Sequence, residues 1–253
     1  MLLSEEFALK KCSRYCRACH HAHGLAALML QRVFSLLLSK RKRLRYAVCR
    51  KGKLRAFREG KEHRMAEYMD LLNKRRSIRD YENKEVPLET IIDIIRESCL
   101  APSSSHGQPW QFIVVTNREM IKRLSDESKR NLIADMERNP ASPSRNYEAT
   151  LRDKNFNIFY NAPALIFIGG PKEHRSLQVD CALAASYLMF SACERNLGSC
   201  WIGLGKFILD PELRGLIGMP RDYEIVAPVI LGYPRSIPDI PPRNDPQILM
   251  VVQ

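Results

Sequence analysis

From residue 66 onward, apolar and polar positions alternate in blocks that switch between helical and strand spacing. Ala66 to Arg75 predicts a helix. Pro87 to Leu100 predicts a clearer one: proline suits a first helical turn, Ile91, Ile92, Ile95 and Cys99 share a face, and Glu89, Asp93, Arg96 and Glu97 are expected to meet water. Gln111 to Thr116 reads as a buried strand, followed by a helix from about Arg118 to Arg130 and a proline- and serine-rich loop from Asn139 to Asn146. Ala162 to Gly169 is a second strand. Gln178 to Leu197 is a helix apolar on most of its circumference and stopped by Gly198, a profile that belongs at a domain centre or a subunit interface. Ser199 to Leu204 and Ile225 to Gly232 supply further strands. Pro234, Pro238, Pro241 and Pro242 exclude a helix from the segment that follows. The chain then ends in an apolar, strand-like stretch, Ile248 to Val252, expected to pack on another surface such as a partner subunit.

The first 64 residues follow a different pattern. Cysteine and histidine cluster between Cys12 and His23, the stretch Leu25 to Ser39 admits a short amphipathic helix, and Lys40-Arg41-Lys42-Arg43 opens a basic run. Residues 1–64 hold 17 Lys and Arg against 4 Asp and Glu, a net of +13, whereas the remainder holds 23 against 24, a net of −1. The chain's formal charge of +12 therefore belongs to this extension, and the rest carries no electrostatic footprint for nucleic acid. We read residues 1–64 as a basic, Cys/His-containing extension, poorly ordered or lying before the natural start, and residues 65–253 as the working domain. Met65 and Met69 both precede its first motif.

Cys99, Cys181, Cys193 and Cys200 are dispersed among apolar residues and read as reduced packing thiols, which favours a cytoplasmic setting. No apolar run reaches the roughly 18 to 20 residues that span a bilayer, so no membrane partner is expected. The spacing Cys12-x3-Cys16-x2-Cys19 beside His20, His21 and His23 suits zinc or an iron–sulfur cluster, an alternative in which the extension is a metal- or nucleic-acid-binding module. Coincidence in a Cys/His-rich extension is the better reading, and no metal site is assigned.

Two clusters carry the chemistry. Arg75-Arg76-Ser77-Ile78-Arg79 puts three guanidinium groups and a hydroxyl at the end of a helix, a set suited to a phosphate monoester with its charge of about −1.5 to −2. Alone, such a run is more often a solvated face. Ala101-Pro102-Ser103-Ser104-Ser105-His106-Gly107-Gln108-Pro109-Trp110 lies between a helix and a strand; its small residues let a loop approach a planar ligand, and His106 and Gln108 can bond a polar ring edge. These pieces, followed in order by Leu197-Gly198-Ser199-Cys200-Trp201-Ile202-Gly203 and by Leu231-Gly232-Tyr233-Pro234 with Arg243, resemble the FMN-dependent nitroreductase family over some 170 residues.

The resemblance implies an α+β fold, a central, mainly antiparallel sheet flanked by helices, in an intertwined homodimer with FMN at the subunit interface. It places Arg75, Ser77 and Arg79, assisted by Arg76, at the phosphate, ribityl or pyrimidine end. Pro102, Ser103 and Ser104 would line the isoalloxazine, His106 and Gln108 would reach it from the partner subunit, Ile202 and Gly203 would offer backbone amides near the redox face, and Arg243 would close on the phosphate. His106 stands where many members carry Asn. The implied activity is ping-pong hydride transfer from NADH or NADPH to electron-poor acceptors such as nitroaromatics or quinones, with no obligatory side-chain acid or base. No Gly-x-Gly-x-x-Gly follows a strand, so the donor binds transiently over the flavin and not in a Rossmann domain. Asn131 to Phe159, with Arg145, Tyr147 and Phe156, is a candidate substrate cover. An alternative within the same family is reductive dehalogenation, in which a lid carrying Tyr, Glu and Lys holds a zwitterionic substrate; Tyr147, Glu148 and Lys154 are available for that role.

Overall fold

The computed structural model describes residues 67–253; the expectations for Cys12, Cys16, Cys19, the neighbouring histidines and the basic run lie outside the described residues. Helix α1 spans 67–74, and α2 (Leu88–Ser98) follows a short extended segment. Strand β1 (Gln111–Val115) leads into α3 (Arg118–Arg138) and the short α4 (Glu148–Arg152). Then come β2 (Ala164–Pro171), α5 (Leu177–Glu194), β3 (Gly198–Trp201), α6 (Pro211–Leu216) and β4 (Tyr223–Gly232). The four strands form one antiparallel sheet in the order β1-β2-β4-β3, the α+β arrangement expected.

The sheet is covered on both faces, so its central strands are apolar over most of their length, with Glu224 at the start of β4 the exception, instead of alternating with polar residues. Along β2, Ala164, Ile166 and Ile168 pack with Ile91 and Ile94 of α2 and Cys181, Ala184 and Leu188 of α5. Leu165 and Phe167 point the other way, into a core with Ile121, Leu124 and Leu132 of α3. Local signals set the helix starts: the Asn117 side chain accepts from the Met120 amide at 2.8 Å, and Asp210 accepts from Glu212 and Leu213 ahead of Pro211. Asn196, at a φ of 55°, ends α5 and turns the chain into β3.

Several expectations need correction. Helix α2 buries Ile91, Ile94 and Ser98, while Ile92 is exposed and Ile95 and Cys99 are only partly covered; Ser98 can be buried because its hydroxyl donates to the Ile95 carbonyl at 2.7 Å. Helix α3 runs eight residues past Arg130, where Asn131 donates to the Phe207 carbonyl and Leu132 and Met136 are buried in the core. The stretch Ser199 to Leu204 leaves the sheet after Trp201 and closes as a 3-10 turn, Gly203–Lys206. Within Asn139 to Asn146 a 3-10 turn begins at Pro143. Ile248 to Val252 forms no strand and is exposed, with no strand partner among the described residues. Among the described residues no helix is long and apolar enough to cross a membrane.

Glu97 was expected to face water, yet it joins α2 to α5: Ser191 donates to it at 2.6 Å and the Arg195 guanidinium at 2.8 Å. The Arg195 hydrogen bond, then that of Ser191, lowers its pKa to about 2. A carboxyl depressed in the folded state stabilises the fold above its unfolded value and loses that contribution as pH falls toward the folded one. Because the side chain is 45% exposed, screening trims the contribution to about 1 kcal/mol. Glu97→Gln is expected to lower stability by that amount at pH 7, with the gap to the wild type narrowing as pH drops below about 4.5; melting curves recorded between pH 7 and pH 3 test it, and a gap independent of pH would refute it.

Candidate functional site

Three of the four motif pieces meet at one end of the sheet. The Arg75 amide closes α1 on the Leu71 carbonyl, and the chain then extends so that Ser77 bridges Ser199 and the Ile78 amide donates to the Ser199 carbonyl at 3.1 Å. Gly198 permits this approach, because a Cβ there would lie 2.7 Å from the Ile78 side chain. Tyr81 bridges Pro234, and Glu82 donates to the Tyr233 carbonyl at 2.9 Å. The arginine run thus lies beside Gly198 to Gly203 and the Tyr233-Pro234 segment. A cavity of about 150 Å³ lies there, lined among others by Arg75, Arg76, Cys193, Asn196 and Pro234.

Among the described residues no carboxylate pairs with the charge in this region. Arg75 and Arg76 are half-buried and Arg79 is exposed. Arg76 donates to the Arg75 carbonyl at 2.6 Å, and Arg79 sits 5.9 Å over the Tyr160 ring. Tyr160 and its neighbour Asn161 both hold positive φ, 51° and 52°, and Phe156 meets Tyr160 edge-on at 5.6 Å. Cationic groups without a carboxylate partner among the described residues, next to a serine hydroxyl, are a donor set that a phosphate completes.

Of the two amides expected at the redox face, that of Ile202 is unavailable: it extends the β3 ladder by donating to the Pro228 carbonyl at 2.8 Å. Gly203 opens the following 3-10 turn, where the first amides have no partner within the turn. It is exposed, and a Cβ on it would meet nothing within 4 Å. Helix α3 holds this turn from behind. Ser128 donates to the Leu204 carbonyl at 2.6 Å, Asn131 to that of Phe207 at 2.8 Å, and Glu127 accepts from the Asp210 amide at 3.1 Å.

The second cluster is a tight turn. Ser104–His106 form a 3-10 turn in which Ser105, His106 and Gln108 have φ of 50°, 57° and 44°. Left-handed backbone costs a non-glycine residue roughly 1–2 kcal/mol and gathers at functional sites. The Ser103 hydroxyl accepts from the Gln108 backbone amide at 3.1 Å, and the Gln108 side-chain Nε2 and His106 Nε2 are 2.9 Å apart. Pro102 is exposed at the start of this loop, and Trp110 is buried at its end. Gly170 lets the loop close on the sheet, since a Cβ there would lie 2.4 Å from the Pro109 carbonyl.

The structure does not join this loop to the arginine cluster within one chain. The loop is bonded to Asp180 in the first turn of α5, whereas Arg75 and Arg76 share a cavity with Cys193 at its end. Thirteen residues of helix separate these anchors, roughly 20 Å. Arg243 lies in the exposed tail after β4.

In the candidate cover, Arg145 caps the end of α3 through the Met136 and Pro140 carbonyls, and the Glu148 carboxylate is shared by Arg152 at 2.9 Å and Arg145 at 3.4 Å. Tyr147 and Lys154 are exposed. The lysine that anchors this region is Lys129, buried on α3, donating to the Asp153 and Phe156 carbonyls at 3.1 and 2.7 Å. Burial pushes the Cys181 thiol up to about 12 and raises those of Cys193 and Cys200, which keeps them protonated.

A model of the nitroreductase family matches residues 72–233, well over half of the chain. The chain belongs to the nitroreductase family. Iodotyrosine deiodinase 1 of Sus scrofa is 28% identical over 207 residues, 75% of this chain and 70% of that protein. A putative NADH dehydrogenase/NAD(P)H nitroreductase of Archaeoglobus fulgidus is 28% identical over 187 residues, 72% of this chain and 93% of its own. Among solved structures, a nitroreductase with bound FMN from Bacteroides fragilis superposes with a TM-score of 0.62 at 24% identity, covering 72% of this chain and 97% of that one. The nitroreductase fold and an oxidoreductase function follow.

Proposed function

We propose that the protein is an FMN-dependent oxidoreductase that takes electrons from NADH or NADPH and reduces electron-poor acceptors such as nitroaromatics or quinones, acting as a cytoplasmic homodimer. The observation that carries this reading is the run of Arg75, Arg76 and Arg79, paired with no carboxylate among the described residues and bonded alongside the strand that leads to the open Gly203. Bound FMN would supply the redox chemistry, accepting a hydride from the donor and passing it to the acceptor in a ping-pong cycle. Arg75, Arg76, Ser77 and Arg79 hold the phosphate and polar end, with Arg243 closing from the tail. Gly203 offers the amide, and α3 keeps that amide from moving. Pro102, Ser103, Ser104, His106 and Gln108 serve the ring and chain from a second copy.

Distance and surface chemistry support a second copy. On α5, Val179, Leu183 and Tyr187 are exposed at 64%, 36% and 43% and spaced four residues apart, an apolar stripe on one face. Packing that stripe on its twin with the helices antiparallel brings the loop end of one α5 to the arginine end of the other. The apolar tail, including Leu249 and Val252, finds cover in the same dimer.

Purified protein is expected to be yellow, to release FMN on denaturation and to bleach with NADH or NADPH under anaerobic conditions; a colourless protein that cannot be reconstituted with FMN sinks the proposal. The deiodinase relatives favour a second reading, reductive dehalogenation, in which two electrons and a proton replace a carbon–halogen bond by carbon–hydrogen and release halide. Assaying the same preparation against halotyrosines, nitroaromatics and quinones separates the two.

A further inference from the structure

Asp180 is a carboxylate in a helix otherwise apolar over most of its length, and it is 1% exposed. One of its oxygens accepts from the Ser104 amide at 3.0 Å. The other accepts from the Ser176 hydroxyl at 2.6 Å, and that hydroxyl lies 3.3 Å from His174 Nδ1. Its place in the first turn of α5 favours the negative charge.

The loop it touches needs an anchor. Ser105, His106 and Gln108 all hold left-handed backbone, and the hydrogen bonds of His106, Gly107 and Gln108 return to Ser103 and Ser104 within the same turn. Among the described residues, the Ser104–Asp180 bond is the one hydrogen bond that ties residues 102–108 to another element of the fold. We infer that Asp180 is a positioning residue for the flavin-facing loop: it fixes the strained turn on the rigid end of α5, so that Ser103, Ser104, His106 and Gln108 meet the flavin in one conformation. This inference rests on the FMN reading given above.

The test compares substitutions in the purified holoprotein. In Asp180→Asn the side-chain oxygen still accepts from Ser104, and the amide donates to Ser176, whose proton turns to His174. FMN affinity and the visible circular dichroism of bound flavin are expected to stay within about threefold and unchanged in shape. Asp180→Ala loses both contacts; its FMN Kd is expected to rise about tenfold or more and the visible dichroism to change, with the far-ultraviolet spectrum and oligomeric state retained. Ser104→Pro deletes the same bond from the loop side, and Ser103, at φ −140° and ψ 154°, tolerates a following proline. Set against Ser104→Ala, which keeps the amide, it decides the question should Asp180→Ala fail to fold. Wild-type affinity in Asp180→Ala or in Ser104→Pro overturns the inference, as does equal loss in Asp180→Asn and Asp180→Ala. Failure of the wild type to bind FMN overturns the cofactor reading itself and is a separate result.

Discussion

Arg75→Glu is expected to weaken FMN binding by two to three orders of magnitude while leaving the fold intact. A charge-assisted hydrogen bond to phosphate contributes about 1.5–3 kcal/mol, and reversing the charge adds repulsion from a group carrying about −1.5 to −2. Together these exceed about 3 kcal/mol, more than a hundredfold in Kd. The fold should survive because the local structure depends on the Arg75 backbone: its amide closes α1, its carbonyl accepts from Arg76, and its side chain is ion-paired with no carboxylate among the described residues. Arg75→Lys keeps the charge but loses the two-pronged geometry, and a smaller loss is expected. Fluorescence titration of apoprotein with FMN measures all three. A Kd within threefold of the wild type for Arg75→Glu would return this arginine to the solvated surface.

The residues that were legible in the sequence are those whose chemistry is local. Strand β2 shows as a block of aliphatic residues because both its faces are covered, and α5 shows as a helix because its apolar circumference needs no partner to be recognised. The arginine run and the serine-rich loop could be read because their residue types suit a phosphate and a flat ring. What stayed hidden depends on partners far away in the chain. Ser128 and Asn131 look like surface positions until Leu204 and Phe207, each 76 residues on, accept from them. Glu97 looks solvated until Ser191 and Arg195 arrive, 94 and 98 residues later. Asp180 gave a signal, a carboxylate in the first turn of a largely apolar helix, but its bond to Ser104 could be found only in three dimensions. Likewise Ile202 and Gly203 are neighbours in a motif, and only the ladder to Pro228 shows that the Ile202 amide is spent, while Gly203 is exposed with open space where a side chain would stand.

Leu183→Glu is expected to turn the dimer into a monomer at micromolar concentration and, in the same step, to remove most of the bound FMN. Leu183 lies at the centre of the exposed stripe on α5, between Val179 and Tyr187, where the two-fold axis of the proposed dimer would bring each residue close to its own copy. Two facing carboxylates in a desolvated seam repel and lose hydration, whereas on a monomer the same substitution sits on a surface and costs little. None of the residues assigned to FMN is altered, so cofactor loss would arise only because the loop and the arginines lie at opposite ends of α5, roughly 20 Å apart. Light scattering on the eluting peak and flavin absorbance measure both effects together; a monomer that keeps its FMN defeats the composite site. Mixed dimers sharpen the point. Combining Arg75→Glu with Ser104→Pro subunits places both lesions in one site and leaves the other site with an intact arginine cluster from one chain and an intact loop from its partner. Such a heterodimer, assembled from two proteins that each bind FMN poorly, should recover wild-type affinity at one of its two sites, whereas a site built within a single chain would recover neither.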